Sequence, residues 1–290
     1  MKASLEALHL PIDADSRRSR RFCLHHAPTE RPLVGLVLHV HAFAEEMNKS
    51  RRMVALQARA LATAGFAVLQ MDLFGCGDSD GALADATWQR WCEDIDAARD
   101  WLLRRSGGAS AALPLWLWGH RAGALLAVAA AARWPQTCRF LFWQPMLSGR
   151  AALQQFLRLR SMGDLSGRAS TMTTEQLRAE LAAGRVVDVA GYRLSADIAR
   201  NLEQARLAPA QRRSRVVWVD VSARDDPGLM PASAATVDAW RADGHEVSAR
   251  VVRGPAFWQT AEIEVVPELL EATTRTCLAG DHDVEAVPCA

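Results

Sequence analysis

The sequence predicts an α/β fold, a mostly parallel sheet of about eight strands with helices on both faces and a helical insertion. The observations behind it are an alternation of short aliphatic runs with longer helical patterns between residues 33 and 143, the loss of that alternation over about 145–209, and its return at residue 215.

The elements follow in order. Residues 5–10 and 20–25 read as an antiparallel edge pair. Strands at 33–40, 66–71, 115–118 and 139–143 are short runs of apolar residues, as expected where both faces are covered. The longer amphipathic or alanine-rich patterns between them, at 51–64, 87–105 and 122–134, read as helices. After the insertion come a strand at 215–221, a helix at 232–242, a strand at 246–252 and a last helix near 262–277. Within about 145–209 the pattern gives helices at 151–160, 174–183 and 196–205, with N-cap chemistry from Thr174 ahead of Leu177 and from Ser195 with Asp197, neither a full capping box. The expectation is one domain, 1–290, carrying a cap at about 145–209.

Composition excludes several function classes. Half of the 290 residues are apolar and 23% are charged, so a large core can form. With 34 Lys and Arg against 33 Asp and Glu the net charge is +1, so no global field draws in nucleic acid. Cys23, Cys76, Cys92, Cys138, Cys277 and Cys289 form no C-x-x-C or C-x-x-H pairs, which argues against a metal site and a disulfide framework and for a reducing compartment. Residues 1–21 lack the apolar core of a signal peptide, and the longest apolar run, 122–132, falls short of the roughly 20 residues of a membrane span. A cytoplasmic protein without cofactor is expected.

The chemistry-bearing motif is Gly119-His120-Arg121-Ala122-Gly123, at the junction of the 115–118 strand and the following helix. In the nucleophile elbow G-x-S-x-G of the α/β-hydrolase fold, the central residue sits on a strained strand-to-helix turn, and the glycines are there because no Cβ fits. Here both glycines remain and the centre is Arg121. The fold places an acid after the strand ending at Val221, where Asp225 or Asp226 stands, and a histidine after the last strand, where the loop reads Arg253-Gly254-Pro255-Ala256-Phe257-Trp258-Gln259. Loss of both hydroxyl and base removes the serine mechanism.

The stretches 38–52, beginning Leu38-His39-Val40-His41-Ala42-Phe43, and Asp72-Leu73-Phe74-Gly75-Cys76-Gly77-Asp78-Ser79, with Phe142-Trp143-Gln144-Pro145 and Gly254-Pro255-Ala256-Phe257-Trp258-Gln259-Thr260, resemble the family called hydrolase 2, exosortase A system-associated. The resemblance covers nearly the whole chain. It implies membership of the α/β-hydrolase superfamily and association with bacterial systems for PEP-CTERM protein sorting and exopolysaccharide production. The hydrolase label comes from superfamily membership, and Arg121, Phe257 and Trp258 depart from it. A pseudoenzyme that binds a ligand or a partner of that system is the expectation. The alternatives are a hydrolase or acyltransferase using Cys76 or Ser148, and a structural protein whose cap forms an interface.

The candidate ligand-binding residues are His41, Ala42 and Phe43, whose turn would supply oxyanion-type N–H donors with Ala122, together with Arg121, Trp143 and Trp258. A small anionic, acyl or saccharide ligand is in view, with Trp143 and Trp258 as stacking faces. Glu45, Glu46, Lys49, Arg51 and Arg52 read as a solvated helix start, or else as a charged lip of the cleft. The Gly75 and Gly77 segment lacks G-x-G-x-x-G and a Walker lysine and reads as a tight turn. His120 should point to the other side of the elbow and His245 should lie in a solvent-facing loop. A cation at a helix N-terminus meets the positive end of the dipole, so Arg121 needs either an external anion or an ion pair with Asp225, the second requiring no ligand.

Overall fold

The computed structural model describes residues 3–14, 17–107, 113–162, 172–225 and 227–279; Asp226, Cys289 and part of the insertion lie outside these residues. Ten strands and eight α-helices are described. The strands β1 (Ala3–Ala14) and β2 (Arg17–Pro28) pair antiparallel at one edge. They continue into β4 (Phe66–Met71), β3 (Gly35–Val40), β5 (Leu115–His120), β6 (Arg139–Trp143), β9 (Arg215–Ser222) and β10 (Glu246–Arg253) in the order β1-β2-β4-β3-β5-β6-β9-β10. Every pairing from β4 to β10 is parallel.

Period-two alternation divides the core. Leu36, Leu38, Leu117, Phe140, Phe142 and Trp218 face α2 (Trp88–Arg105), α3 (Gly123–Ala131) and α7 (Pro231–Ala242). Val37, Trp116, Trp118, Leu141, Trp143 and Val217 face α1 (Glu45–Thr63) and α8 (Pro267–Leu278). Trp143 is therefore buried beneath α8, where its indole N–H donates to Thr273 Oγ1 at 2.9 Å. It is no stacking face of the cleft, because its place on the strand commits it to the closed side of the sheet.

Between β6 and β9 lie α4 (Gly149–Met162), α5 (Thr174–Ala182), a hairpin of β7 (Val187–Val189) with β8 (Tyr192–Leu194), and α6 (Ala196–Gln204). The hairpin's three-residue strands are too short to register as a period in sequence. The cap of α5 is Thr173 in a full capping box with Gln176, one residue before the expected Thr174. Ser195 caps α6 as expected, and its hydroxyl donates to Ala86 O at 2.7 Å. Asp197 Oδ1 accepts from Trp88 N at 2.8 Å, so the insertion caps α2 as well as its own helix. The Tyr192 hydroxyl donates to Glu45 Oε2 at 2.9 Å, tying the hairpin to the start of α1.

Three further expectations need correction. α1 begins at Glu45 rather than at 51, since the carboxylates of Glu45 and Glu46 favour a first turn while hiding its apolar stripe. α8 begins later than 262, at Pro267, whose fixed φ suits the first helical position. His245 is buried, not in a solvent-facing loop: it packs on Trp240 with ring centroids 4.7 Å apart, and its Nδ1 accepts from Ser214 N.

Candidate functional site: the elbow and its cavity

The elbow is built as its glycines require. A Cβ on Gly119 would fall 2.5 Å from Ala124 Cα, and one on Gly123 would fall 2.3 Å from Val40 O and 2.4 Å from His41 O. The second contact also shows that the turn after β3 is pressed against the start of α3. Arg121 lies between strand and helix with φ 54°, in the left-handed region. Ala44, with φ 51°, and Gln144, with φ 40°, flank the same place, so three of the four described non-glycine residues with positive φ gather here. At roughly 1–2 kcal/mol per residue, this is stored strain of the kind that accompanies functional sites. The strained turn is present although the nucleophile is not.

The Arg121 side chain is turned inward and satisfied. Its Nε and Nη2 donate to Glu46 Oε1 at 3.1 and 3.0 Å, Nη2 donates also to Gln155 Oε1 at 3.2 Å, and Nη1 to Gln144 O at 3.4 Å. Gln155 Nε2 donates to the same Glu46 oxygen at 3.3 Å, closing a three-residue network. The guanidinium carbon stands 5.1 Å from the Trp258 ring, so the loop that would carry a histidine offers an aromatic face to a cation instead. Phe257 is buried and stacks on His120 with centroids 5.4 Å apart.

The expected pair of Arg121 with Asp225 is not formed. The Asp225 side chain is 91% exposed and pairs with Arg253 at 2.8 Å, whereas Arg121 pairs with Glu46. Asp225 stands beyond the end of β9 in solvent; Glu46 sits on the first turn of α1, beside the turn that packs against the elbow. Of the two readings of this charged run, the cleft one holds for Glu46, which is no solvated helix face. Its signal was available: a chain that leaves β3 against the elbow puts the next carboxylates within reach of residue 121. Gln155, contributed by the insertion, had no such signal. Arg51 pairs with Asp72 at 3.0 Å, and Asp72 also accepts from Asp78 N at 3.0 Å, which confirms a tight turn at Gly75 and Gly77.

Above this network lies a cavity of about 360 Å³. Phe43, Ala122 and Trp258 line it with Met146, Ala152 and Phe156, so its walls are mainly apolar. Glu46 and Gln155 contribute to the lining, while Arg121 stays beneath them. Lys49 and the exposed Arg158 mark its open side. Of the other candidates, His41 and Ala42 line a separate cavity between the sheet and α1. Burial, and then the charges of Asp72 and Asp94, push the Cys76 thiol well above its ordinary value, the reverse of an activated nucleophile. Ser148 precedes α4 in a backbone bridge with Arg206. Among the described residues no group of three His, Cys, Asp or Glu side chains is arranged to hold a metal ion, and no helix is long and apolar enough to cross a membrane.

The family profile described as serine aminopeptidase, S33 matches residues 31–208. Solved structures share the fold. Est1E from Butyrivibrio proteoclasticus with ferulic acid bound superposes with a TM-score of 0.63 at 20% identity, covering 94% of this chain and 98% of that one. A thermostable carboxyl esterase from Bacillus coagulans in complex with glycerol gives 0.60 at 15% identity, over 94% and 98% of the two chains. A soluble variant of monoglyceride lipase from Saccharomyces cerevisiae with a substrate analogue gives 0.58 at 14% identity, over 92% of each. At these identities the likeness establishes the α/β-hydrolase fold. No curated protein matches the sequence.

Proposed function

The chain belongs to the serine aminopeptidase S33 family of α/β hydrolases, and from that premise we propose that it is a member without hydrolytic chemistry, which binds in the cavity over Arg121 a ligand with an apolar acyl or aryl body. The observation that carries this reading is the guanidinium at the elbow. Arginine has five N–H donors, and four of them already meet Glu46, Gln155 and Gln144. It has no lone pair to attack a carbonyl and little capacity left for an external anion. The buried part of the ligand is therefore uncharged. A carboxylate head, as in an aryl or fatty acid, belongs at the open side with Lys49.

The insertion serves as the cap of this cavity within one domain. The resemblance carried by residues 38–52, 72–79, 142–145 and 254–260 supports a role beside a bacterial exosortase and exopolysaccharide system, and the scattered cysteines support a cytoplasmic place for it. The ferulic acid of Est1E and the substrate analogue of the monoglyceride lipase are ligands of those proteins, and they supply the first two probe classes.

Calorimetric titration with ferulic acid and with dodecanoate tests the reading. Saturable binding of at least one is expected in the wild type, with loss in Ala152→Trp, which fills the cavity, and no turnover of p-nitrophenyl octanoate. Turnover that copurifies with the protein and is abolished by Ala152→Trp would replace binding by catalysis.

A further inference from the structure

The carboxylate on the floor of the Arg121 cavity is only half used. Glu46 Oε1 accepts from Arg121 Nε and Nη2 and from Gln155 Nε2, at 3.1, 3.0 and 3.3 Å. Glu46 Oε2 accepts from nothing among the described residues. It is also open: the side chain lines the cavity, is 18% exposed, and Oε2 is not one of the unpartnered atoms closed to solvent. His39 and His120, beside the cavity between the sheet and α1, are the opposite case, with ring nitrogens that are unpartnered but sealed. Lys49 lies three residues after Glu46 on α1, on the same side of the helix, and lines the same cavity. One of its three ammonium donors meets Gln259 O at 3.3 Å, which leaves two for a ligand.

An ionised carboxylate only accepts, so what Oε2 lacks is a donor. That donor must be uncharged, because the Arg121 guanidinium stands beneath the same carboxylate and already balances it. A ligand ammonium would bring a second buried cation to one anion. A hydroxyl meets the requirement, and its hydrogen bond to a charged oxygen is of the stronger kind. The walls indicate what carries the hydroxyl. Phe43 and Phe156 meet edge to face with centroids 5.0 Å apart, and Trp258 faces the same space, an arrangement that suits a further aromatic ring. The volume of about 360 Å³ is more than twice the roughly 150 Å³ that accepts benzene, so a ring with a short side arm has room.

We propose that the cavity takes a hydroxylated aryl acid, whose phenolic hydroxyl donates to Glu46 Oε2, whose ring lies among Phe43, Phe156 and Trp258, and whose carboxylate reaches Lys49. The inference rests on the reading of this cavity as a ligand site and narrows it, since an alkanoate has nothing to give Oε2.

The test titrates 4-hydroxycinnamate, 4-methylcinnamate and 4-methoxycinnamate into the protein by calorimetry near pH 7, where a phenol keeps its proton. In the wild type the hydroxy acid is expected to bind at least about tenfold more tightly than either of the others, because the methyl group has no polar atom and the methoxy group accepts without donating. In Glu46→Gln the amide oxygen can take over the Arg121 hydrogen bonds and leave the NH₂ toward the cavity. The lead of the hydroxy acid over the methoxy acid should then disappear. The comparison within the wild type stands whether or not the variant folds. Equal affinity of the three acids in the wild type, or an unchanged lead over the methoxy acid in a folded Glu46→Gln, would overturn the proposal while leaving a cavity that binds aryl acids. Saturation by dodecanoate and by no cinnamate would overturn it while leaving a cavity for alkyl chains. No saturation by any of these probes would overturn it together with the reading on which it rests.

Discussion

Arg121 and His120 are neighbours in the chain, and the molecule treats them in opposite ways. Over Arg121, where this fold ordinarily keeps its reactive group, four of five donors meet acceptors. At His120, on the far side of the sheet, both ring nitrogens meet none among the described residues. The strand sends one side chain below the sheet, and the left-handed turn sends the next toward α1 and the insertion. The difference teaches that an inherited catalytic position can be converted into a structural tie. Glu46 from α1 and Gln155 from α4 join through one guanidinium that occupies the strained turn. Unmet hydrogen-bonding capacity, sealed from solvent, has meanwhile collected one residue earlier.

The comparison breaks most easily at Glu46. Arg121 and Glu46 have side chains only 8% and 18% exposed, so Glu46→Leu strands a buried cation. A loss of roughly 3–5 kcal/mol in urea denaturation is expected, with most of it recovered in Glu46→Leu/Arg121→Leu, because removing both charges leaves neither unpaired. A loss below about 1 kcal/mol in the single variant would mean that the network does not hold the elbow.

A smaller effect probes the histidine side. The folded-state pKa of both His39 and His120 lies below the unfolded value near 6.5. As pH falls below that value the unfolded chain takes up protons that the folded chain refuses, so stability is unaffected above about pH 6.5 and declines beneath it, by up to about 1.4 kcal/mol per pH unit for each group. His120→Phe should flatten the decline between pH 6.5 and 5 by about one proton. It should not abolish it, since His41 and His26, the latter lowered to about 4, act with the same sign. An unchanged slope would place a charged His120 in the folded state.

The smallest effect is expected at the acid that the fold's usual order singles out. Asp225 and Arg253 are both largely exposed, so Asp225→Ala should leave the denaturation midpoint unchanged within error. A loss comparable to that of Glu46→Leu would restore Asp225 as a partner of the elbow.

Most of the sheet was legible in the sequence because its strands are buried on both faces and read as continuous apolar runs. The elbow was legible because its glycines answer steric demands, against Ala124 and Val40, that do not depend on the residue between them. The partner of Arg121 was legible only as one of two carboxylates. Glu46 and Asp225 are both carboxylates near strand ends, and choosing between them requires knowing that α1 begins at Glu45, hard against the turn after β3. Trp143 was misplaced for a related reason: a strand's period of two says which residues share a face, but not which face opens on the cavity. The histidine cavity was invisible, since His39 and His120 lie 81 residues apart and meet only through the pairing of β3 with β5.

The claim that the elbow is chemically silent is tested most directly by intact-protein mass spectrometry after exposure of the wild type and of Arg121→Ser to a fluorophosphonate. Neither should gain the mass of an adduct, because the wild type has no hydroxyl at the turn and the variant has one facing Trp258 and Glu46 in place of a histidine base. A stoichiometric adduct on the wild type, mapped to one side chain lining the Arg121 cavity, would contradict the account.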